Sequence, residues 1–422
     1  MPKVLKIFEH EKLRIGDPPE FGESHFETLL QYNEKHRGRY FVPGHRCIYF
    51  TNYVGVIQVG NLSIEVLPKT EREGKADKGK WHNALIEMLH RCGYLKLEPV
   101  SEAHLRLRHA SLFDLYLEAF LNEVEKLLHY GLTRKYRRTH GNLSTLKGRL
   151  NFSEHIKHNK IHRERFYTNH QCCDRDNIWN RILKQAIQII KQTSNSQHLI
   201  QKAKRLLLDF EDVRDTRAKA QTFAHLQYDR NTECYRRSIS LAELIIRNYT
   251  PDVQTGRRNV LAILFDMNEL FERYIYVMLK RASATPGYQR IATVKPQRSK
   301  PFWTSNETTV RVRPDIVVKM EAGAEPRRII MDTKWKVPST KRPDDADLRQ
   351  IYAYNHLFGA TESYLVYPTT ETSTRKWGEY RPSFFSKTSM SHGCGQWFID
   401  IFDEDNKLDK NVGTKILQKL AD

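Results

Sequence analysis

The chain has 422 residues, 39% of them hydrophobic, and a formal net charge of +19. That is long enough for two or three domains with substantial cores, and the positive balance points to polyanions, because each Lys or Arg that neutralises a phosphate releases counterions. No apolar run approaches the ~20 residues of a spanning helix, which excludes a helical membrane protein.

The start, Met1-Pro2-Lys3-Val4-Leu5-Lys6, lacks a secretory hydrophobic segment, so a cytoplasmic protein is expected. Further on, Tyr53–Val59 and Leu62–Pro68 flank Gly60-Asn61, a strong hairpin signal. A charged stretch, Glu71–Lys80, precedes a helical pattern over Trp81–Leu89, and a long amphipathic helix is predicted over Ser111–Tyr130, where Phe113, Leu117, Phe120, Leu121, Val124, Leu127 and Leu128 share one side.

Basic residues then crowd together. Arg134, Lys135, Arg137, Arg138, Lys147 and Arg149 lead a run that continues to Arg165 with Glu154 and Glu164 as its only acids; Tyr136 and Phe152 are interleaved. Such a stripe can track a phosphate backbone without sequence specificity, and a solvated cationic face has the same composition. His155, His158 and His162 recur at helical spacing near Cys172 and Cys173, but without paired cysteines they fit a basic surface better than zinc. The six cysteines contain no Cys-x-x-Cys and read as reduced thiols. Helices follow over Asp176–Gln192 and Ile200–Phe210, and Thr250–Gly256 marks a boundary.

Beyond it, Leu261–Ile275 is predicted as one amphipathic helix with Leu264, Met267, Phe271, Tyr274 and Met278 on a stripe. Glu272 on this helix suits a solvated face. Two apolar runs come next, read as strands joined by a Gly323–Pro326 turn: Val310–Val318, containing Pro314-Asp315, and Arg328–Trp335, containing Asp332-Thr333-Lys334. Period-two alternation puts Asp332 and Lys334 on one side and Thr333 on the other, and a hairpin brings Asp315 beside them. Two carboxylates suit Mg²⁺, with Mn²⁺ as a substitute; a lysine two residues on can orient water and stabilise charge on a phosphate. Glu73-Gly74-Lys75 and Asp405-Asn406-Lys407 repeat the spacing in polar surroundings, and Pro251-Asp252 and Pro343-Asp344 repeat the Pro-Asp pair, so the motif gains its meaning from context.

That context is a helix over Asp347–Phe358, with Gln350 and Tyr354 on one face, and a further strand over Ser363–Pro368. The acid-x-lysine strand resembles the PD-(D/E)xK nuclease core, and the Gln-x-x-x-Tyr that follows resembles the accessory motif of RecB-like nucleases, which implies contacts near the active centre or DNA; a half-buried Tyr354 has the same pattern. The resemblance to the PD-(D/E)xK core also implies an acid offered to the metal from the preceding helix, which makes Glu272 a candidate metal ligand.

The order of segments resembles the McrC family, the nuclease subunits of McrBC-type modification-dependent restriction systems. The likeness rests on Tyr53–Val59 with Ile64–Lys69, Gly131–Tyr136, Asn142-Leu143 with Leu146–Leu150, Asp176-Asn177 with Asn180, Phe265–Glu272, and Asp315, Asp332 and Lys334. It implies a chain that docks on a McrB-like AAA+ GTPase hexamer through its N-terminal half, stimulates GTP hydrolysis and cuts methylated double-stranded DNA; no Gly-x-x-x-x-Gly-Lys-Ser/Thr loop is present, so the motor belongs to another chain. The expected architecture is α+β and multidomain: a β-rich partner-binding domain over 1–105, a helical basic region over 106–250, and an α/β PD-(D/E)xK core with a mixed central sheet over 251–422. A DNA-binding adaptor that activates a partner NTPase, and a stand-alone RecB-like repair nuclease, are the alternatives.

Overall fold

The computed structural model describes residues 3–69, 77–95, 111–250, 259–288, 292–296, 299–305, 307–321, 326–336, 338, 342–371, 373–381 and 392–421. Glu73-Gly74-Lys75, Pro251-Asp252 and most of the Gly323–Pro326 turn lie outside them. The architecture is mixed α and β, and the chain divides into two compact units.

One unit comprises Met1–Lys3, Ile57–Ser63 and Phe113–Ile263. Its helices include Leu112–Tyr130, Ile178–Thr193, Gln197–Leu208 and Arg236–Asn248. Ile182, Leu183, Ala186, Ile187 and Ile190 of the second are buried, as an apolar stripe at helical period requires. The basic stripe lies largely on a small sheet. Lys135–Leu143 pairs antiparallel with Phe166–Asp174, and Arg149–Leu150 adds a third strand. Side chains of Lys135–Leu143 alternate between half-buried and exposed, the period of a strand with one covered face. Only Phe152–His158 in this span forms a helix, capped by Asn151.

The other unit comprises Val4–Val56, Ile64–Leu112 and Leu264–Asp422. The predicted helix over Leu261–Ile275 is corrected by the structure: Val260–Asp266, of which Val260–Ile263 count with the first unit, is a strand, and helix α1 runs from Met267 to Ser283. Val260, Leu261, Ala262 and Ile263 form a continuous apolar run that is buried throughout, which suits a covered strand. Asp266 stops the strand and caps the helix by accepting from the Asn268 N–H at 2.9 Å.

Among the described residues, six strands form one sheet: β1 (Ala292–Pro296), β4 (Ile316–Met320), β5 (Arg327–Thr333), β6 (Glu362–Thr369), β8 (Gly393–Asp400) and β7 (Thr374–Glu379), in that spatial order. β4 and β5 are antiparallel, β5, β6 and β8 are mutually parallel, and β7 returns antiparallel on the edge. The parallel step from β5 to β6 is bridged by helix α2, Asp345–Phe358, capped by Asp344. Ile351, Tyr354 and Phe358 of α2 pack on Ile330, Leu365 and Tyr367 of the sheet.

The run Val310–Val318, expected as one strand, is broken. β2 (Lys300–Thr304) and β3 (Thr309–Val312) form a separate two-stranded ribbon, and β4 begins only after Arg313-Pro314-Asp315. Proline has no N–H for a central ladder, so the chain changes sheets there. Of the described repeats of the motif, Asp405 and Lys407 form an exposed ion pair in a turn, and Asp344 of Pro343-Asp344 is the α2 cap.

Candidate active site and basic face

The register of the β4–β5 hairpin, Ile316 opposite Met331, delivers Asp315 to the end of β5. Thr333 binds it there: its N–H and its hydroxyl both donate to Asp315 Oδ2, at 2.7 and 2.8 Å. Asp332 is 1% exposed, with Lys334 Nζ 2.8 Å from its Oδ2. The Lys334 N–H donates to Val366 O at 2.8 Å, so the backbone stays tied to β6 at the lysine.

Helix α2 supplies the flank. Lys334 Nζ lies 3.4 Å from Asp347 Oδ1 and donates to Gln350 Oε1 at 3.4 Å. Gln350 in turn donates to the Tyr354 hydroxyl at 2.6 Å, and that hydroxyl donates to Arg313 O at 3.2 Å. Lys334, Gln350, Tyr354 and the backbone before Asp315 therefore form one hydrogen-bonded chain. Sequence reasoning missed Asp347, which also pairs with Lys336 at 2.8 Å; its one signal was a place one turn before Gln350.

The charges are unbalanced. Burial, then the charge of Glu272, lifts the Asp315 carboxyl to about 6 against the pull of the Thr333 bonds. Burial and repulsion from Asp315 lift Asp332 to about 7, although Lys334 opposes it. For Lys334, burial disfavours the ammonium, but Asp332, Asp347 and Asp315 outweigh that and hold its pKa above the usual lysine range. Glu272, half-buried on α1, enters this site through its field on Asp315.

Asp332, buried, and Asp315, half-buried, both resist ionisation and form a donor set whose charge a hard dication would relieve. Among the described residues no group of three or more His, Cys, Asp and Glu is placed to hold a metal. Mg²⁺ commonly takes only one or two protein carboxylates and fills its octahedron with water and phosphate oxygens, so Asp315 and Asp332 fit it.

In the other unit, the basic residues part company. Arg134, Arg138, Lys147 and Arg149 are exposed, as a phosphate-tracking face needs. Lys135 pairs with Asp229 at 3.0 Å, and Arg137 with Asp174 at 2.7 Å. A cavity of about 390 Å³ lies beside them, with Arg137, Arg181 and Arg214 around Asp176. His158 and His162 pair with Glu154 and Glu164, and His155 Nδ1 accepts from the Tyr167 N–H.

Residues 48–368 match the family described as McrBC 5-methylcytosine restriction system component. The type IV methyl-directed restriction enzyme EcoKMcrBC of Escherichia coli K12 is 22% identical over 339 residues, covering 74% of this chain and 94% of the relative. A solved structure described as a half-complex from a tetradecameric assembly of Thermococcus gammatolerans McrB AAA+ hexamers with bound McrC has the same fold: TM-score 0.69, 18% identity, 99% of this chain and 100% of the other covered.

Proposed function

Since the chain belongs to the family of McrBC 5-methylcytosine restriction system components, we propose that it is the McrC-type, DNA-cutting subunit of such a system: a Mg²⁺-dependent endodeoxyribonuclease that docks on an AAA+ GTPase hexamer and stimulates it. The observation that carries the nuclease reading is the convergence of Asp315, Asp332 and Lys334 at one end of β5, with both carboxyls held above their usual range. The partner reading is supported by the shared fold with a chain solved together with McrB AAA+ hexamers.

Asp315 and Asp332 would hold the metal, which when bound lowers the pKa of a water and offsets charge on the scissile phosphate. Thr333 aims Asp315 by taking one of its oxygens and leaving the other open. Lys334, held protonated by Asp332 and Asp347, serves as a fixed positive charge for the developing phosphorane rather than as a base. Gln350 and Tyr354 keep that ammonium and the Asp315 backbone in register. The exposed basic residues of the other unit, Arg134, Arg138, Lys147 and Arg149, hold duplex DNA through its phosphates.

The test uses Asp332→Ala and Lys334→Ala chains assembled with the AAA+ partner. Nicking falls by roughly a hundredfold to a thousandfold or more, while assembly and stimulated GTP hydrolysis stay at wild-type levels. Wild-type cleavage by either complex removes the nuclease reading; stimulation without nicking by the wild-type complex makes the chain an adaptor instead.

A further inference from the structure

The ribbon β2–β3 is built to meet something. Every residue of β2 is exposed and most of β3 is, so the ribbon has two faces in solvent. It nevertheless carries Phe302 at 55% exposure, Trp303 at 54% and Val310 at 47%. The register steps from Pro301↔Arg311 to Trp303↔Val310, leaving Phe302 as the extra residue of a bulge, a device that redirects side chains. Adjacent aromatics on a free ribbon are costly to hydrate, and two strands alone are marginally stable in water.

Its root is firm where its body is bare. Lys300 Nζ donates to Leu357 O at 2.7 Å and lies 4.9 Å from the centre of the Phe358 ring. Val312 packs against the α2 cluster, and Arg313 O accepts from the Tyr354 hydroxyl. The chain leaving the ribbon reaches Asp315 within three residues of Val312. Whatever the ribbon grips is therefore positioned against the two carboxylates.

The geometry points to duplex DNA as that occupant, with Phe302 and Trp303 as a wedge or stacking pair that positions the scissile phosphate; this rests on the nuclease reading. Charge agrees: Lys300, Arg311 and Arg313 face one acid, Glu307, between residues 299 and 313. Arg311 donates to Ser299 through Nε and Nη2, which leaves part of its guanidinium for a phosphate. Aromatic wedges beside basic residues are how proteins unstack and bend a duplex.

Binding is measured without cleavage, on a full-length Asp332→Asn background, with a short fluorescein-labelled duplex and Mg²⁺ present. Adding Phe302→Ala and Trp303→Ala weakens binding roughly tenfold or more, and Arg311→Ala lowers the slope of log affinity against log salt by about one; melting temperature and assembly with the AAA+ partner stay unchanged. Unchanged affinity overturns the proposal, as does absence of binding by the background chain. Loss of partner assembly with DNA affinity intact overturns it too and makes the ribbon a protein dock. Because the background cannot cut, a wild-type chain that binds through the ribbon yet fails to nick defeats the nuclease reading and leaves the ribbon standing.

Discussion

Thr333 gives both of its donors to a single oxygen of Asp315, so a residue facing away from the acid-x-lysine side sets the aim of the other acid. A hydrogen bond to a charged group contributes about 1.5–3 kcal/mol. Thr333→Val keeps the backbone bond and the shape but loses the hydroxyl. Without it the Asp315 carboxylate is less favoured, so nicking drops roughly tenfold at limiting Mg²⁺ and recovers at high Mg²⁺. A titration of nicking rate against Mg²⁺ checks this; equal curves for both proteins contradict it.

The pH profile follows from the same acids. With Asp315 near 6 and Asp332 near 7, the pair is part-protonated in mild acid and only fully charged above neutrality. Nicking by the assembled complex therefore rises between about pH 6 and pH 8. Metal and protons compete for these oxygens, so raising Mg²⁺ moves the rise to lower pH. A flat profile at both metal concentrations sinks the claim.

What sequence could say about this site came from strand periodicity. The two-residue period through Asp332-Thr333-Lys334 put Asp332 and Lys334 together, and the structure has Lys334 Nζ 2.8 Å from Asp332 Oδ2 while Thr333 binds Asp315. The helical stripe of α2 likewise paired Gln350 with Tyr354. Two boundaries were lost. A stripe from Leu264 to Met278 ran through the junction at Asp266, since a short apolar run such as Val260–Phe265 fits strand and helix alike. Pro314 was read inside a strand rather than as the point where the chain leaves one sheet for another. Contacts such as Trp335 Nε1 to Glu9 Oε1, 326 residues apart, leave no trace in local pattern.

Tyr354 is the joint between helix and loop. Its hydroxyl accepts from Gln350 and donates to Arg313 O, so Tyr354→Phe frees both partners while keeping the ring packed on Phe358. A net hydrogen bond is worth about 1 kcal/mol, which sets the expected loss of nicking at roughly fivefold to tenfold, with melting temperature nearly unchanged. If Tyr354→Phe cuts like wild type, the hydrogen-bonded chain has no part in positioning Lys334.

Glu9 gives a stability test separate from catalysis. Its Oε1 accepts from Trp335 Nε1 at 2.7 Å and from the Lys69 N–H at 2.9 Å, and burial raises its pKa to about 7. An acid whose pKa is raised on folding contributes its stability in full below the unfolded value of 4.5 and loses it as pH climbs through about 7. The charged form is thus a burden in alkali, worth up to about 3 kcal/mol at 1.36 kcal/mol per unit. Glu9→Gln keeps a carbonyl acceptor for both donors and cannot ionise. Its melting temperature should match that of the wild type near pH 4, exceed it progressively as pH climbs through about 7 and level off above that, measured by calorimetry from about pH 4 to pH 8. A gap that is constant with pH, or that closes as pH rises, means that Glu9 is not carrying a proton in the folded chain at neutral pH.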